Sequence, residues 1–317
     1  LVFTAHDFFP ICPKVTMFRH GTVCDSVKNC ENCGVCNATA LSINKIKALQ
    51  SPVYRELKDS KVVKKLRKQH RDGYLSESTA NDTAAPVGSA DDYKKLRNYY
   101  YSLLKLMDII HYNSSVTKKV YESVFDLPHS CTVVITHSDI KDNRKVKDYS
   151  NDCLRIRYLG PQSGAKGYQL LKSALDKLWN VQQNFFLDVH FEPMEPAPYI
   201  KSHERYSYAE LKKIFDETDV LVAPSIWYET FGFTVLEALS YGVPVIISGN
   251  VGAKDILVQG AGVVIENIDA QKLFTILQNI TPDKLRAMNE IIVEKQTIMQ
   301  IEDMSRQIET NCYGWKA

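Results

Sequence analysis

The sequence predicts an α/β protein of two domains, each built on a parallel sheet. Three observations point there. Residues 219–223 (DVLVA), 234–241 and 245–248 read as strand, helix and strand at the spacing of a βαβ crossover. Residues 154–160 (LRIRYLG) read as a further strand that runs through a glycine-containing loop into a helix over 168–178. The chain has 317 residues, 44% hydrophobic and 24% charged, which suits two globular domains with their own cores.

The other elements follow in order. Residues 1–5 (LVFTA) are a strand already in progress, ended by His6 through Pro10. Residues 61–71 (KVVKKLRKQHR) read as a basic helix carrying Val62, Val63 and Leu66. The small, polar stretch 76–90 reads as a loop. A helix over 91–107, a strand at 109–112, a helix over 116–124 and a strand at 131–136 come next. Residues 141–152 are charged, lack an apolar period and mark the interdomain linker. In the second half, a strand at 185–191 and a helix over 208–217 precede the crossover unit. Pro224 ends the first strand of that unit, because proline cannot donate to a sheet ladder. Gly242 ends its helix as a left-handed cap. Thr281-Pro282 opens a late helix, and residues 301–312 form the last one. The boundaries expected are 1–146, 147–300 and a C-terminal helix in 301–317.

Ligands of such sheets bind outside the carboxyl ends of the strands, which places residues 224–233 at a site. Two glutamates flank it, Glu229 and Glu237. Eight positions apart, they would sit about 80° apart on a helix, so Glu229 belongs to the loop and Glu237 to the helix. The amides around Phe231, Gly232 and Thr234 carry the positive end of the helix dipole, where a diphosphate fits. Carboxylates repel phosphates, so each glutamate is expected to accept from hydroxyls. Two hydroxyl-rich rings flanking a diphosphate describe a nucleotide sugar. Lys166 and Gly167, after a strand and a loop, are a second phosphate-binding candidate. Glutamates at this spacing are common, and the weight lies in their combination with Pro-Ser, Phe-Gly-Phe and Gly-Val-Pro. The side chains of Phe231 and Phe233 read as packing residues, and Trp227 and Tyr228 as buried under the loop.

Residues 223–255 resemble the E-x7-E signature of retaining GT-B glycosyltransferases of group 1 type, family 4. Lys166-Gly167 matches that family's upstream pattern, while Pro161 stands at its arginine position. The likeness covers roughly residues 150–312 well and 1–150 more loosely. It implies two Rossmann-like domains around a cleft, the first of them incomplete, with the last helix crossing back onto the first. It implies that Glu229 contacts the transferred hexose and that Glu237 holds the ribose hydroxyls. Lys166, with the backbone at Phe231 and Gly232, would neutralise the leaving diphosphate. His6, at the end of a strand, would face the donor sugar, although a histidine satisfied by local hydrogen bonds is an equal reading. The activity implied is retaining hexosyl transfer from a UDP- or GDP-sugar to a glycan or lipid-linked acceptor, in bacterial surface polysaccharide or capsule synthesis. Catalysis requires no metal cofactor on this reading. The alternatives are a non-catalytic sugar-nucleotide-binding protein, a truncated one, or a GT-B epimerase or phosphorylase.

Five of the eight cysteines crowd together: Cys12, Cys24, Cys30, Cys33 and Cys36. Their C-x2-C-x2-C run favours a structural zinc over disulfides. Cys131, Cys153 and Cys312 look isolated, and the overall usage suits a reducing cytoplasm. Residues 1–150 hold 23 Lys+Arg against 16 Asp+Glu, and residues 151–317 hold 16 against 21. The basic excess in 45–71 suggests peripheral contact with anionic lipid at the inner membrane face, set against an ordinary solvated helix face. No aromatic interleaving supports nucleic-acid binding. No apolar run approaches the ~20 residues of a membrane span.

Overall fold

The computed structural model describes residues 1–24, 27–38, 40–60, 63–64, 85–127, 129–151 and 153–314. The first region begins with β1 (Val2–Ala5) and a short hairpin of β2 (Phe18–Arg19) and β3 (Thr22–Val23). Three small helices follow, α1 (Cys33–Cys36), α2 (Ile43–Leu49) and α3 (Pro52–Leu57). Then come α4 (Ala90–Leu104), β4 (Ile109–Tyr112), α5 (Ser115–Glu122) and β5 (Ser130–Thr132). Strands β1, β4 and β5 pair in parallel, in the order β1-β4-β5. Helix α4 starts where the sequence expects, because Ser89 and Asp92 close a reciprocal capping box.

The second region holds β6 (Leu154–Tyr158), α6 (Tyr168–Trp179), β7 (Phe185–Val189) and β8 (Ile200–Ser202). It continues through α7 (Leu211–Asp216), β9 (Val220–Ala223), α8 (Phe233–Ser240) and β10 (Val245–Ser248). It closes with β11 (Gly262–Ile265), α9 (Ala270–Gln278), α10 (Pro282–Lys295) and α11 (Ile301–Tyr313). Six strands form one parallel sheet in the order β11-β10-β9-β6-β7-β8. All four residues of β10 are buried. A strand covered on both faces reads as the continuous apolar run VIIS, not as an alternation. Tyr168, Leu171, Leu175 and Leu178 recur at helical spacing on α6 and bury one face, and α6 packs on α9.

Several expectations need correction. The basic helix at 61–71 and most of the loop at 76–90 lie outside the described residues, apart from 63–64 and 85–90. The described part of the expected linker, 141–151, lacks regular structure, but it is fastened to the second region. Asn143 N donates to Ser240 O at 2.8 Å, and Arg144 Nη1 to Ile292 O at 2.9 Å. Lys147 N donates to the buried Asn289 Oδ1 at 3.0 Å, and Lys147 Nζ donates to Phe215 O. A charged run with no apolar period is therefore held by hydrogen bonds to carbonyls that its sequence cannot reveal. Cys131 and Cys312 are not isolated. They form a disulfide that joins β5 to α11 across 181 residues of sequence. Helix α11 lies against β4 and β5.

Candidate donor-binding site

The site begins with two loops that fit only because glycines allow it. The β6–α6 loop ends at Gly167, with φ of 78°, and a Cβ there would stand 2.0 Å from Pro224 O. Any other residue would separate this loop from the loop that follows β9. Two hydrogen bonds seam them, Ile226 N and Trp227 N both donating to Ala165 O, at 2.9 and 3.1 Å. Gly232 caps α8 with φ of 100°, and a Cβ there would meet Val251 Cγ1 at 2.8 Å. The first amides of α8, at Phe233 and Thr234, precede the helix's own acceptors and carry its positive pole.

The seam brings Lys166 to Glu229. Lys166 Nζ lies 2.6 Å from Glu229 Oε1, and Ser225 Oγ donates to Glu229 Oε2 at 2.6 Å. Lys166 also rests over the Trp227 ring at 5.0 Å. The indole Nε1 of Trp227 is buried with no hydrogen-bond partner. Glu229 is fixed through its backbone as well. Its N donates to Asn250 O at 2.9 Å, and its O accepts from Gly252 N at 3.0 Å.

Glu237 lies about one turn along α8 and is 6% exposed. Its Oε1 accepts from the hydroxyl of Tyr208 and lies 3.7 Å from His137 Nε2. The Tyr208 hydroxyl is also 2.9 Å from His137 Nε2. Burial pushes the Glu237 carboxyl above its ordinary value, and Tyr208 and His137 partly oppose this. Glu229 on the loop and Glu237 on the helix match the division expected from their spacing. Phe231 is buried in the core, and Phe233 packs edge-on against the His137 ring at 5.1 Å.

The first region reaches the site at two places. Tyr228 packs edge-on against Phe8 at 6.4 Å, which brings the carboxyl end of β1 beside the Glu229 loop. Ser114, the cap of α5, donates to Thr230 O at 2.6 Å. Next to it, Ser115 donates to Asp255 through both N and Oγ, each at 2.5 Å. A Cβ on Gly252 would fall 2.6 Å from Ser114 Oγ. His6 is exposed beside Asp7, at 3.5 Å, and opens onto an apolar cavity of about 390 Å³ between β1 and α4. Among the described residues, no hydrogen bond or ion pair joins His6 to Lys166 or Glu229.

The structure does not support the expected zinc. Among the described residues, no group of three or more His, Cys, Asp or Glu side chains is placed to hold a metal ion. Cys12, Cys24, Cys33 and Cys36 line one small cavity, and Cys30 lies beside Cys33. Its φ is 60°, and its Sγ receives Arg97 Nη1 at 3.0 Å. Burial pushes the Cys12 thiol up and the Cys33 thiol to about 12.

Ser225, Tyr208, His137 and the Ser114–Ser115–Asp255 contact escaped the sequence reading. Asn113-Ser114-Ser115 carries the signal of a helix cap, and nothing in it signals a contact 140 residues away.

The comparisons bear on the fold and on one segment of the second region. Residues 198–295 match the family model described as Glycosyl transferases group 1. The fold is that of GT-B glycosyltransferases, and the segment matched by the family model contains the loop at 224–233 and the start of α8. A curated relative, the uncharacterized 41.2 kDa protein in the cps region of Klebsiella pneumoniae, is 30% identical over 138 residues, which cover 40% of this chain and 37% of that one. Sucrose-phosphate synthase from Thermosynechococcus elongatus aligns with a TM-score of 0.57 at 18% identity, over 76% of this chain and 65% of that one. Anabaena HepE, solved with UDP and glucose, aligns with a TM-score of 0.54 at 13% identity, over 72% and 69%. WaaG, a glycosyltransferase involved in lipopolysaccharide biosynthesis, aligns with a TM-score of 0.53 at 12% identity, over 71% and 70%. The chain thus spans just over a third of its curated relative and about two thirds of these structures.

Proposed function

We propose that the chain binds a nucleotide diphosphate sugar and transfers its hexose, with retention, to a hydroxyl of a glycan or lipid-linked acceptor. The setting proposed is bacterial surface polysaccharide synthesis, in keeping with the relative from a cps region. The observation that carries the reading is the Lys166–Glu229 pair, held where two glycine-seamed loops meet the positive end of α8.

A diphosphate entering there offers Lys166 a more highly charged partner than Glu229. Lys166 swings to the phosphates, together with the amides of Phe231, Gly232 and Thr234, and Glu229 is released to accept from hexose hydroxyls. Charge building on the leaving diphosphate meets a lysine and a helix pole already in place. On this reading Glu237 takes the ribose hydroxyls, with Tyr208 yielding its hydrogen bond, and the base is that of UDP or GDP. His6 is the proposed contact from the first region. Pro161 offers no cation where the family has arginine, so Lys166 supplies the side-chain charge to the diphosphate, alone or with a basic residue from elsewhere.

Thermal shift with UDP, GDP, ADP and TDP tests the reading, because a ligand of the native state raises Tm by mass action. One nucleotide is expected to stabilise the parent. Lys166→Ala and Glu237→Ala are each expected to weaken binding roughly tenfold to a hundredfold. No shift with any of the four would overturn the assignment. Binding without transfer from the matching sugar nucleotide would favour the binding-only alternative.

A further inference from the structure

We propose that the Cys131–Cys312 bond is a redox-operated tether between the two regions. Oxidised, it pins α11 to the first region; reduced, it lets the end of that helix go. The bond joins β5 to α11 across 181 residues of sequence, while the other six cysteines remain thiols. With it, the regions are joined covalently at two places, the backbone before β6 and this bond. Without it they are joined at one.

Little else holds α11 down. Of its thirteen residues only Cys312 is buried. Met304, Ile308 and Cys312 recur every four positions and so share one face, but Met304 and Ile308 are only partly buried. Met304 Sδ accepts from Thr136 N at 3.4 Å. A helix of this length is marginal in water without packing, so its place against β4 and β5 depends on the bond near its far end. The near end is fastened differently. Gln296 Nε2 donates to Ile256 O at 2.8 Å, and Ile298 is buried in the core of the second region. Cutting the bond therefore frees the far end and leaves the near end in place.

The bond can be reached from one side. Strand β5 is an edge strand, and Cys131 is half-buried between the exposed Ser130 and Thr132. Disulfides that solvent reaches are the labile, regulatory ones. A dithiol's thiolate attacks Cys131 Sγ, and the Cys312 sulfur leaves and takes up a proton. The dithiol's second thiolate then displaces the Cys131 sulfur, which is protonated in turn. The chain gains two hydrogens, and the dithiol closes to a disulfide. Glutathione disulfide runs the reverse, taking two hydrogens and ending as two thiols. Once the bond is open, the contacts of Ser115 with Asp255 and of Ser114 with Thr230 lose the second covalent restraint between the regions. The inference does not depend on the donor-site reading.

The test takes the whole chain, oxidised with glutathione disulfide, and compares it with and without dithiothreitol. Peptide mapping after alkylation reads the bond, and amide exchange reads the helix. Before reduction, Cys131 and Cys312 are expected in one linked peptide pair. Dithiothreitol is expected to open the pair under native conditions. Exchange across α11 should then rise by about tenfold or more, with a smaller rise in α5, while β9 and β10 stay protected. Cys131→Ser leaves the buried Cys312 in place, and its α11 should exchange like that of the reduced parent whether or not dithiothreitol is present. A bond that does not form in the parent overturns the proposal. So does a bond that dithiothreitol opens only in denaturant, which would make it a fixed staple. Exchange in α11 that ignores reduction, or a Cys131→Ser helix as protected as the oxidised parent's, overturns it too.

Discussion

The two regions of the chain solve the burial problem differently. The six-stranded sheet is covered on both faces, and β9 and β10 have almost no exposed side chain. The three-stranded sheet supports a smaller core around Phe8, Tyr112 and Tyr121, while no residue of α2 or α3 is fully buried. The elements of the candidate site follow this difference. Lys166, Ser225, Glu229 and Glu237 stand on loops and a helix anchored in the larger core. His6 stands at the end of an edge strand of the smaller one. A charged site needs rigid support, because a carboxylate and an ammonium hold 2.6 Å only if the backbone beneath them is fixed.

The contrast predicts its own largest effect. Gly21 and Gly167 share nearly the same φ, 77° and 78°, yet nothing lies within 4 Å of a Cβ at Gly21. Gly21→Ala is expected to cost about 1 kcal/mol, for the left-handed backbone alone. Gly167→Ala must in addition push Pro224 O away, and is expected to cost more than about 4 kcal/mol and to abolish nucleotide binding. Denaturant titration of the two variants checks this. Equal losses would mean that the seam between the loops is slack.

A smaller effect is expected where the regions touch. Asp255→Asn removes the charge that accepts from Ser115 N and Oγ, and is expected to cost about 1–2 kcal/mol. Amide exchange should rise in α5 and around Thr230 while β9 and β10 stay protected. Exchange that rises uniformly would show the two regions to be one cooperative unit.

The smallest effect is a pH dependence at Glu237. Burial raises its folded pKa, so between the ordinary carboxylate value and that raised value the folded chain holds a proton the unfolded chain lacks. Its contribution to stability is therefore fully present below the ordinary value and is lost as pH rises through the raised one. Binding moves the other way, because only the carboxylate accepts from ribose on both oxygens. As pH falls through this window, the difference between parent and Glu237→Gln should grow in favour of parent stability. Their difference in UDP-sugar affinity should shrink. Calorimetry from the ordinary carboxylate value up to neutral pH reads both. Differences that stay flat would remove Glu237 from the ribose site.

Much of the donor side was legible because its signals are local. Proline stops a strand wherever it falls, glycine permits a left-handed cap, and β-branched runs between them read as buried strands. Glu229 in the loop and Glu237 on α8 followed from helical geometry alone. The first region was read less well. Its hairpin and its three short helices carry weak periods. The five clustered cysteines suggested zinc, and among the described residues the structure places no group of three to hold a metal ion, while Cys30 accepts from Arg97.

By itself the sequence determined the βαβ order, and it placed a candidate site, with candidate residues, at a strand end and helix start. These depend on turn chemistry and on periods of two and 3.6, which act over a few residues. Only the tertiary structure decided that Lys166 meets Glu229 across 63 positions, that Tyr208 and His137 converge on Glu237, that Ser115 clasps Asp255, and that Cys131 reaches Cys312. Each of these contacts is specified by packing between distant segments, and a side chain's partner there depends on the whole core that brings the two together.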